Sequence, residues 1–121
     1  MFREKIQKLI DRLDGGIAGV LMGFDGIPLD SYARAGFGDS LPDIQTLAAE
    51  FAHLVSQARR TVQSLDAGAL AEVTIRTESV TLVVTIISAE YFLACAMLPT
   101  AHVGKARYLV KVAAPSLRAD L

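Results

Sequence analysis

The spacing of apolar positions changes repeatedly along the chain, and each change marks an element. Phe2, Ile6, Leu9, Ile10 and Leu13 recur every three or four residues with charges between them, which predicts a helix over 2–13. Asp14-Gly15-Gly16 stops it. Ile17–Phe24 is apolar on both strand faces, the pattern of a central strand covered on both sides. Asp25-Gly26 then predicts a two-residue type I′ hairpin. The return strand, Ile27 to about Ala33, carries Pro28, which has no N–H for a ladder bond, and the charged Asp30. It belongs on a sheet edge. Arg34 to Asp39 reads as a glycine-containing loop.

The longest stretch, Leu41–Leu65, organises the rest. Ile44, Leu47, Ala48, Phe51, Leu54, Val55, Ala58, Val62 and Leu65 fall on one stripe of a helix, with Phe51 as its anchor on a sheet. Ser40 is placed to cap it, Pro42 suits the first turn, Asp43 complements the dipole, and Gly68 sits near the C′ position. A second stripe, Gln45, Ala49, Ala52, Ser56, Arg59 and Gln63, lies roughly 120° away, and its small central residues would admit a second helix. Glu50, His53, Gln57, Arg60 and Thr61 make a wet face. Beyond Gly68 the period falls to two. Ala71–Thr77, Val80–Ile87 and Tyr91–Leu98 read as three strands separated by Glu78-Ser79 and Ser88-Ala89-Glu90. Val103, Ala106, Val110, Ala113, Leu117 and Leu121 restore helical spacing, with a kink or broken turn expected at Pro115. The expected fold is α+β: one domain over 1–121, a five-stranded antiparallel sheet, a long central helix and flanking terminal helices.

Composition narrows what such a domain does. With 121 residues the chain can bury a core unaided, and 52% of it is hydrophobic. The mean hydropathy of +0.39 hints at burial against a partner, commonly a second copy. A net charge of −1 without a basic cluster argues against nucleic acid. The charged N-terminus lacks a signal-peptide hydrophobic region and the apolar runs are strand-length, so a cytoplasmic protein that does not insert into membranes is expected. Cys95 sits in an apolar run and reads as a core residue. His53 and His102 have no carboxylate or thiol at ligand spacing. Gly104-Lys105 resembles the end of a phosphate loop, but Pro99 stands at the earlier glycine position and Ala106 at the Ser/Thr position. No metal, no cofactor and no catalytic residue is expected.

Gly19-Val-Leu-Met-Gly-Phe-Asp-Gly-Ile-Pro-Leu resembles the opening hairpin of the Roadblock / dynein light-chain family, and Gly104-Lys-Ala-Arg-Tyr-Leu through Leu117 resembles its closing helix. The similarity covers essentially the whole chain. The N-terminal helix makes it most similar to bacterial members that regulate Ras-like GTPases in gliding motility and polarity. The resemblance implies a Roadblock/profilin-like fold and a dimer with a continuous sheet and antiparallel long helices. It also implies binding to a small Ras-like GTPase or a sister Roadblock protein, whether as a scaffold or as an activator of GTP hydrolysis. A ligand-sensing module with a related sheet-plus-helix fold is the alternative.

The residues offer places for these contacts. Ala71–Thr77 has an unblocked edge, and a two-fold axis near Thr74 sets Glu72 opposite Arg76 twice. The expected dimer interface is Ala49, Ala52, Ser56, Arg59, Glu72, Thr74 and Arg76. Phe24 and Ile27 flank the tight turn with Asp25 between them. Two readings stay open: Phe24 folds back on Phe2 or Ile6, or Phe24, Asp25 and Ile27 form a protruding partner contact.

Overall fold

A computed structural model describes residues 1–35 and 43–121. Helix α1 is Phe2–Asp11, strands β1 and β2 are Gly16–Gly23 and Pro28–Ala33, and helix α2 is Ile44–Ser64. Strands β3, β4 and β5 are Glu72–Arg76, Thr81–Ile86 and Tyr91–Met97, and helix α3 is Val103–Ala119. The periodicity predicts this order. The strands form one antiparallel sheet in the order β2-β1-β5-β4-β3. All eight residues of β1 are buried, as a strand apolar on both faces requires. Pro28 lies on the edge strand β2, and β3 is the other edge.

Helices α1 and α3 cover one face of the sheet, where Ile6, Ile10, Val110 and Leu117 pack with Leu21, Val83, Leu93 and Cys95. Helix α2 covers the other, over Val20, Met22, Val84, Phe92 and Ala94. Helix α1 comes close because β1 carries Gly19 there: a Cβ on Gly19 would stand 2.8 Å from Ile6 Cγ2. Its N-terminus has no side-chain cap of its own. Instead Asp30 on β2 accepts the Arg3 N–H at 3.0 Å, and the Arg3 guanidinium donates to the Ser31 carbonyl at 2.6 Å. Tyr32 Oη donates to Asp11 at 2.9 Å, a bond that favours the neutral phenol and raises its pKa. An edge strand is thus laced to a terminal helix by polar groups.

Several local expectations are corrected. Ser40, Leu41, Pro42 and the loop residues from 36 onward lie outside the described residues. Asp43 is the observed N-cap of α2, its carboxylate accepting the Thr46 N–H at 2.9 Å. At the other end Asp66, not Gly68, occupies the C′ position, with φ 56°, and Gly68, also at positive φ, follows two residues later. Ala67 and Asp66 donate to the carbonyls of Val62 and Gln63, a Schellman arrangement built without glycine. The first hairpin is not type I′. Gly26 N–H bonds to the Gly23 carbonyl at 2.9 Å and Gly26 alone in the turn has positive φ. Phe24 and Asp25 are therefore the central turn residues, followed by a bulge glycine. Helix α3 continues past Pro115 to Ala119 rather than breaking there. Pro115 is exposed.

The orientation of α2 is also corrected. Its buried residues are Ile44, Ala48, Ala52 and Val55. Phe51 is half-buried, while Leu54 is 50% and Leu65 70% exposed. The helix is turned so that small residues meet the sheet and the bulkiest lie on one flank. Alanines at 18, 94 and 96 share this layer with Ala48 and Ala52. Small side chains on both surfaces let helix and sheet approach closely, and dense packing outweighs the pull of the largest side chains.

Candidate functional site

Two surfaces carry the expected contact residues, one around α2 and β3 and one at the β1–β2 hairpin. On α2 the buried stripe has two unlike flanks. Gln45, Ala49, Ser56 and Arg59 lie on the flank that turns toward β2 and the hairpin. Gln45 Nε2 donates to Ser31 Oγ at 3.0 Å, and the Arg59 guanidinium sits 4.3 Å from the centre of the Phe24 ring. Leu47, Phe51, Leu54 and Ala58 lie on the other flank, about 90° from the buried stripe in the opposite direction round a helix of 3.6 residues per turn. Ala52, expected to meet a second helix, is 4% exposed and packed on its own sheet. The small-residue stripe thus splits between the core and the hairpin side. Its apolar counterpart is the flank sequence reasoning had assigned wholly to the core.

On β3 the alternation is clear. Val73 and Ile75 pair with Val84 and Leu82 on the α2 face, and both are only half-buried. Glu72 and Thr74 face α3. There Arg107 Nε donates to Glu72 Oε2 at 2.7 Å, and Thr74 Oγ1 donates to the same oxygen at 3.3 Å. The Glu72 carboxylate, expected to wait for Arg76 of a second chain, is already engaged within this one. Arg76 is exposed. The far edge of β3 pairs with no described strand.

At the hairpin the three expected residues part company. Phe24 is half-buried, tilted at 60° against Phe92 with ring centres 5.3 Å apart, and covered by Arg59. It joins the core on the α2 side, away from Phe2 and Ile6, so neither open reading describes it. Asp25 Oδ1 accepts the Ile27 N–H at 3.0 Å and braces the turn. Ile27 does protrude, 63% exposed, and Leu29, which sequence reasoning missed, is 43% exposed beside it. Both border a shallow groove of about 370 Å³ that reaches Ala89, Glu90 and Tyr91 at the β4–β5 turn. Alternation along β2 could have found Leu29, since it lies two positions from Ile27 on the same face.

Nothing in these places resembles a reaction centre. His102 caps α3, its Nδ1 accepting the Lys105 N–H at 3.0 Å, and Gly104 and Lys105 are simply that helix's first turn. His53 is exposed on α2. Cys95 is buried, and burial pushes its thiol up to about 12. Among the described residues no three His, Cys, Asp or Glu side chains converge as metal ligands, and no helix is long and apolar enough to cross a membrane. The layer between α2 and the sheet, where a sensor of the alternative kind would hold its ligand, is occupied by Val20, Met22, Val55, Val84 and Phe92, each at most 1% exposed.

The Roadblock/LC7 domain family model matches residues 3–96. MglC from Myxococcus xanthus is 32% identical and superposes with a TM-score of 0.71, covering 99% of this chain and 98% of that one. The gliding protein MglB from Thermus thermophilus is 20% identical over 96% of this chain and 87% of its own, with a TM-score of 0.79. Profilin II from Acanthamoeba castellanii shares the fold at 14% identity, with a TM-score of 0.61 over 99% of this chain and 98% of its own. No curated protein sequence matches the chain significantly.

Proposed function

The chain belongs to the Roadblock/LC7 family, and on that premise we propose that it is a non-catalytic, cytoplasmic, single-domain adaptor that works as a homodimer in bacterial polarity or gliding motility. The observation that carries this reading is the apolar flank of α2 lying on the side of the unpaired β3 edge. Leu54 is half exposed there, Phe51 is incompletely covered, and Val73 and Ile75 are half-buried. Pairing β3 with its two-fold copy would satisfy the edge, and the copy's α2 would cover the flank. In that arrangement Leu47, Phe51, Leu54 and Ala58 meet their mates. Ala49, Ser56 and Arg59 stand on the outer side, and Thr74 and Arg76 lie along the strand junction. The exposed ridge Glu50, His53, Gln57 and Arg60 of the two helices then forms the platform for a small Ras-like GTPase.

A sister Roadblock protein is the second partner in this reading, and the hairpin is where it docks. Ile27 and Leu29 supply the apolar contact, and Phe24 and Asp25 hold the turn in shape from beneath. Leu54→Glu and Ile27→Lys test the two surfaces separately. Sedimentation equilibrium should give a dimer for the native chain and for Ile27→Lys, and a folded monomer for Leu54→Glu. Immobilised native chain should retain GTP-loaded Ras-like GTPase or a sister Roadblock protein, the latter lost in Ile27→Lys. A monomeric native chain refutes the dimer. Retention of neither partner by the native dimer refutes the adaptor role.

A further inference from the structure

Charge is divided unevenly between the two faces of the sheet. Segments 2–13 and 103–120, which are α1, α3 and their ends, hold eight of the 12 Lys and Arg residues but three of the 13 acidic ones. This layer therefore carries +5 in a chain of formal net charge −1. Several of these cations are engaged: Lys5 pairs with Asp120, Arg107 with Glu72, and Arg118 donates to the Ile87 carbonyl at 2.7 Å. Lys8 and Arg12 are exposed and make no ion pair among the described residues.

Lys8 and Arg12 also line a groove of about 350 Å³ between α1 and α3. Its floor is apolar, made of Leu9 and Leu109 at 4% and 5% exposure. The opposite wall presents Tyr108 and Val112, which are 63% and 57% exposed. An exposed tyrosine and valine facing two unpaired cations across an apolar floor is the composition of a binding hot spot rather than of an ordinary wet helix face. Lys8 and Arg12 are four residues apart, as are Tyr108 and Val112. Each wall thus repeats once per helical turn, about 6 Å.

We propose that the groove between α1 and α3 docks an acidic amphipathic helical segment of a protein partner. Its leucine- or phenylalanine-like side chains would enter over Leu9 and Leu109, against Tyr108 and Val112. Carboxylates one turn apart would meet Lys8 and Arg12. Charge complementarity selects this occupant, because no acidic side chain lines the groove among the described residues. Concavity separates it from a lipid surface: a bilayer would reach the cations without reaching a floor set below the lip. The groove lies across the sheet from α2, so it stays open when the α2 face is covered. The proposal stands independently of dimerisation.

The test selects a library of random 12-residue peptides on the immobilised full chain. The native protein is compared with Lys8→Glu/Arg12→Glu and with Tyr108→Ser/Val112→Ser, all exposed positions whose folding is checked by circular dichroism and by a sedimentation mass equal to that of the native chain. Expected are peptides rich in Asp and Glu, with apolar residues three or four apart. One such peptide should bind the native chain with anisotropy-measured affinity at least 10-fold above that of either double variant, and should perturb the NMR signals of Leu9 and Leu109. Selected peptides that are basic or uncharged would overturn the proposal, as would binding indifferent to either variant or signal changes confined to α2. So would anionic phosphatidylserine vesicles that bind the native chain and lose it with Lys8→Glu/Arg12→Glu alone, which identifies a membrane surface.

Discussion

The rotation of α2 makes two neighbouring positions respond in the opposite sense to what their side chains suggest. Leu54 is the larger and more hydrophobic, yet it is 50% exposed, whereas Ala52 is 4% exposed. Full burial of a leucine is worth about 2–3 kcal/mol by transfer. At half exposure, Leu54→Ala should cost the isolated chain about 1 kcal/mol. Ala52→Leu adds three carbons where Ala48, Ala94 and Ala96 leave little room. Over-packing by added methylenes costs about 1–3 kcal/mol, and three carbons set against the sheet should reach the upper end. Urea denaturation followed by circular dichroism reads both, as midpoint shifts at constant slope. Runs at falling protein concentration separate association from folding, because only a contribution of Leu54 to a dimer interface depends on concentration. A larger loss for Leu54→Ala than for Ala52→Leu at the lowest concentration would refute the assigned rotation.

Three further outcomes follow from single residues. Asp66 holds a left-handed conformation at the negative end of the α2 dipole, so Asp66→Gly should raise stability by about 0.5–1 kcal/mol in the same denaturation assay. Thr81 is 1% exposed and its hydroxyl has no hydrogen-bond partner among the described residues, so Thr81→Val should be neutral or stabilising by about 1 kcal/mol, where a satisfied threonine would lose stability. The Cys95 thiol is held neutral up to about 12, against 9.0 for an unperturbed thiol. Only the unfolded chain releases this proton between those values, so stability should fall there, by at most about 1.4 kcal/mol per pH unit. Cys95→Ala should remove that part of the slope, and a disulfide-exchange reagent at pH 8 should leave native Cys95 untouched.

Element order, strand polarity and the two sheet edges were legible because each rests on a local rule. Pro28 excludes a central strand, and Ile17–Phe24 is too apolar for an edge. The rotation of α2 was not legible. Periodicity finds the direction in which hydrophobicity is concentrated, and bulky residues weight that direction toward Phe51 and Leu54. Which face meets the sheet depends on the alanines at 18, 94 and 96, far away in sequence, whose small size rewards alanines in return. The same weighting put Ala52 at an interface. For Phe24, the deciding neighbours are Phe92 and Arg59, which only the folded chain brings together. Glu72 was matched with Arg76 by strand arithmetic, while Arg107 came from a helix that strand arithmetic does not see. Among the three residues expected at the hairpin contact, Ile27 protrudes, and its exposure follows from the turn itself.

The two ends of the sheet have a consequence for assembly. Strand β2 carries Pro28 and is fastened by Asp30, Ser31 and Tyr32 to α1, whereas the outer edge of β3 pairs with no strand among the described residues. In the language of polymer chemistry, the chain is a monofunctional monomer: one end can react and the other is terminated. In the proposed dimer the strand that joins β3 is the β3 of a second copy, so growth stops there and the product is a closed pair rather than a fibre. A highly apolar chain can thus keep one strand edge open for recognition without polymerising, because its own proline acts as the chain stopper.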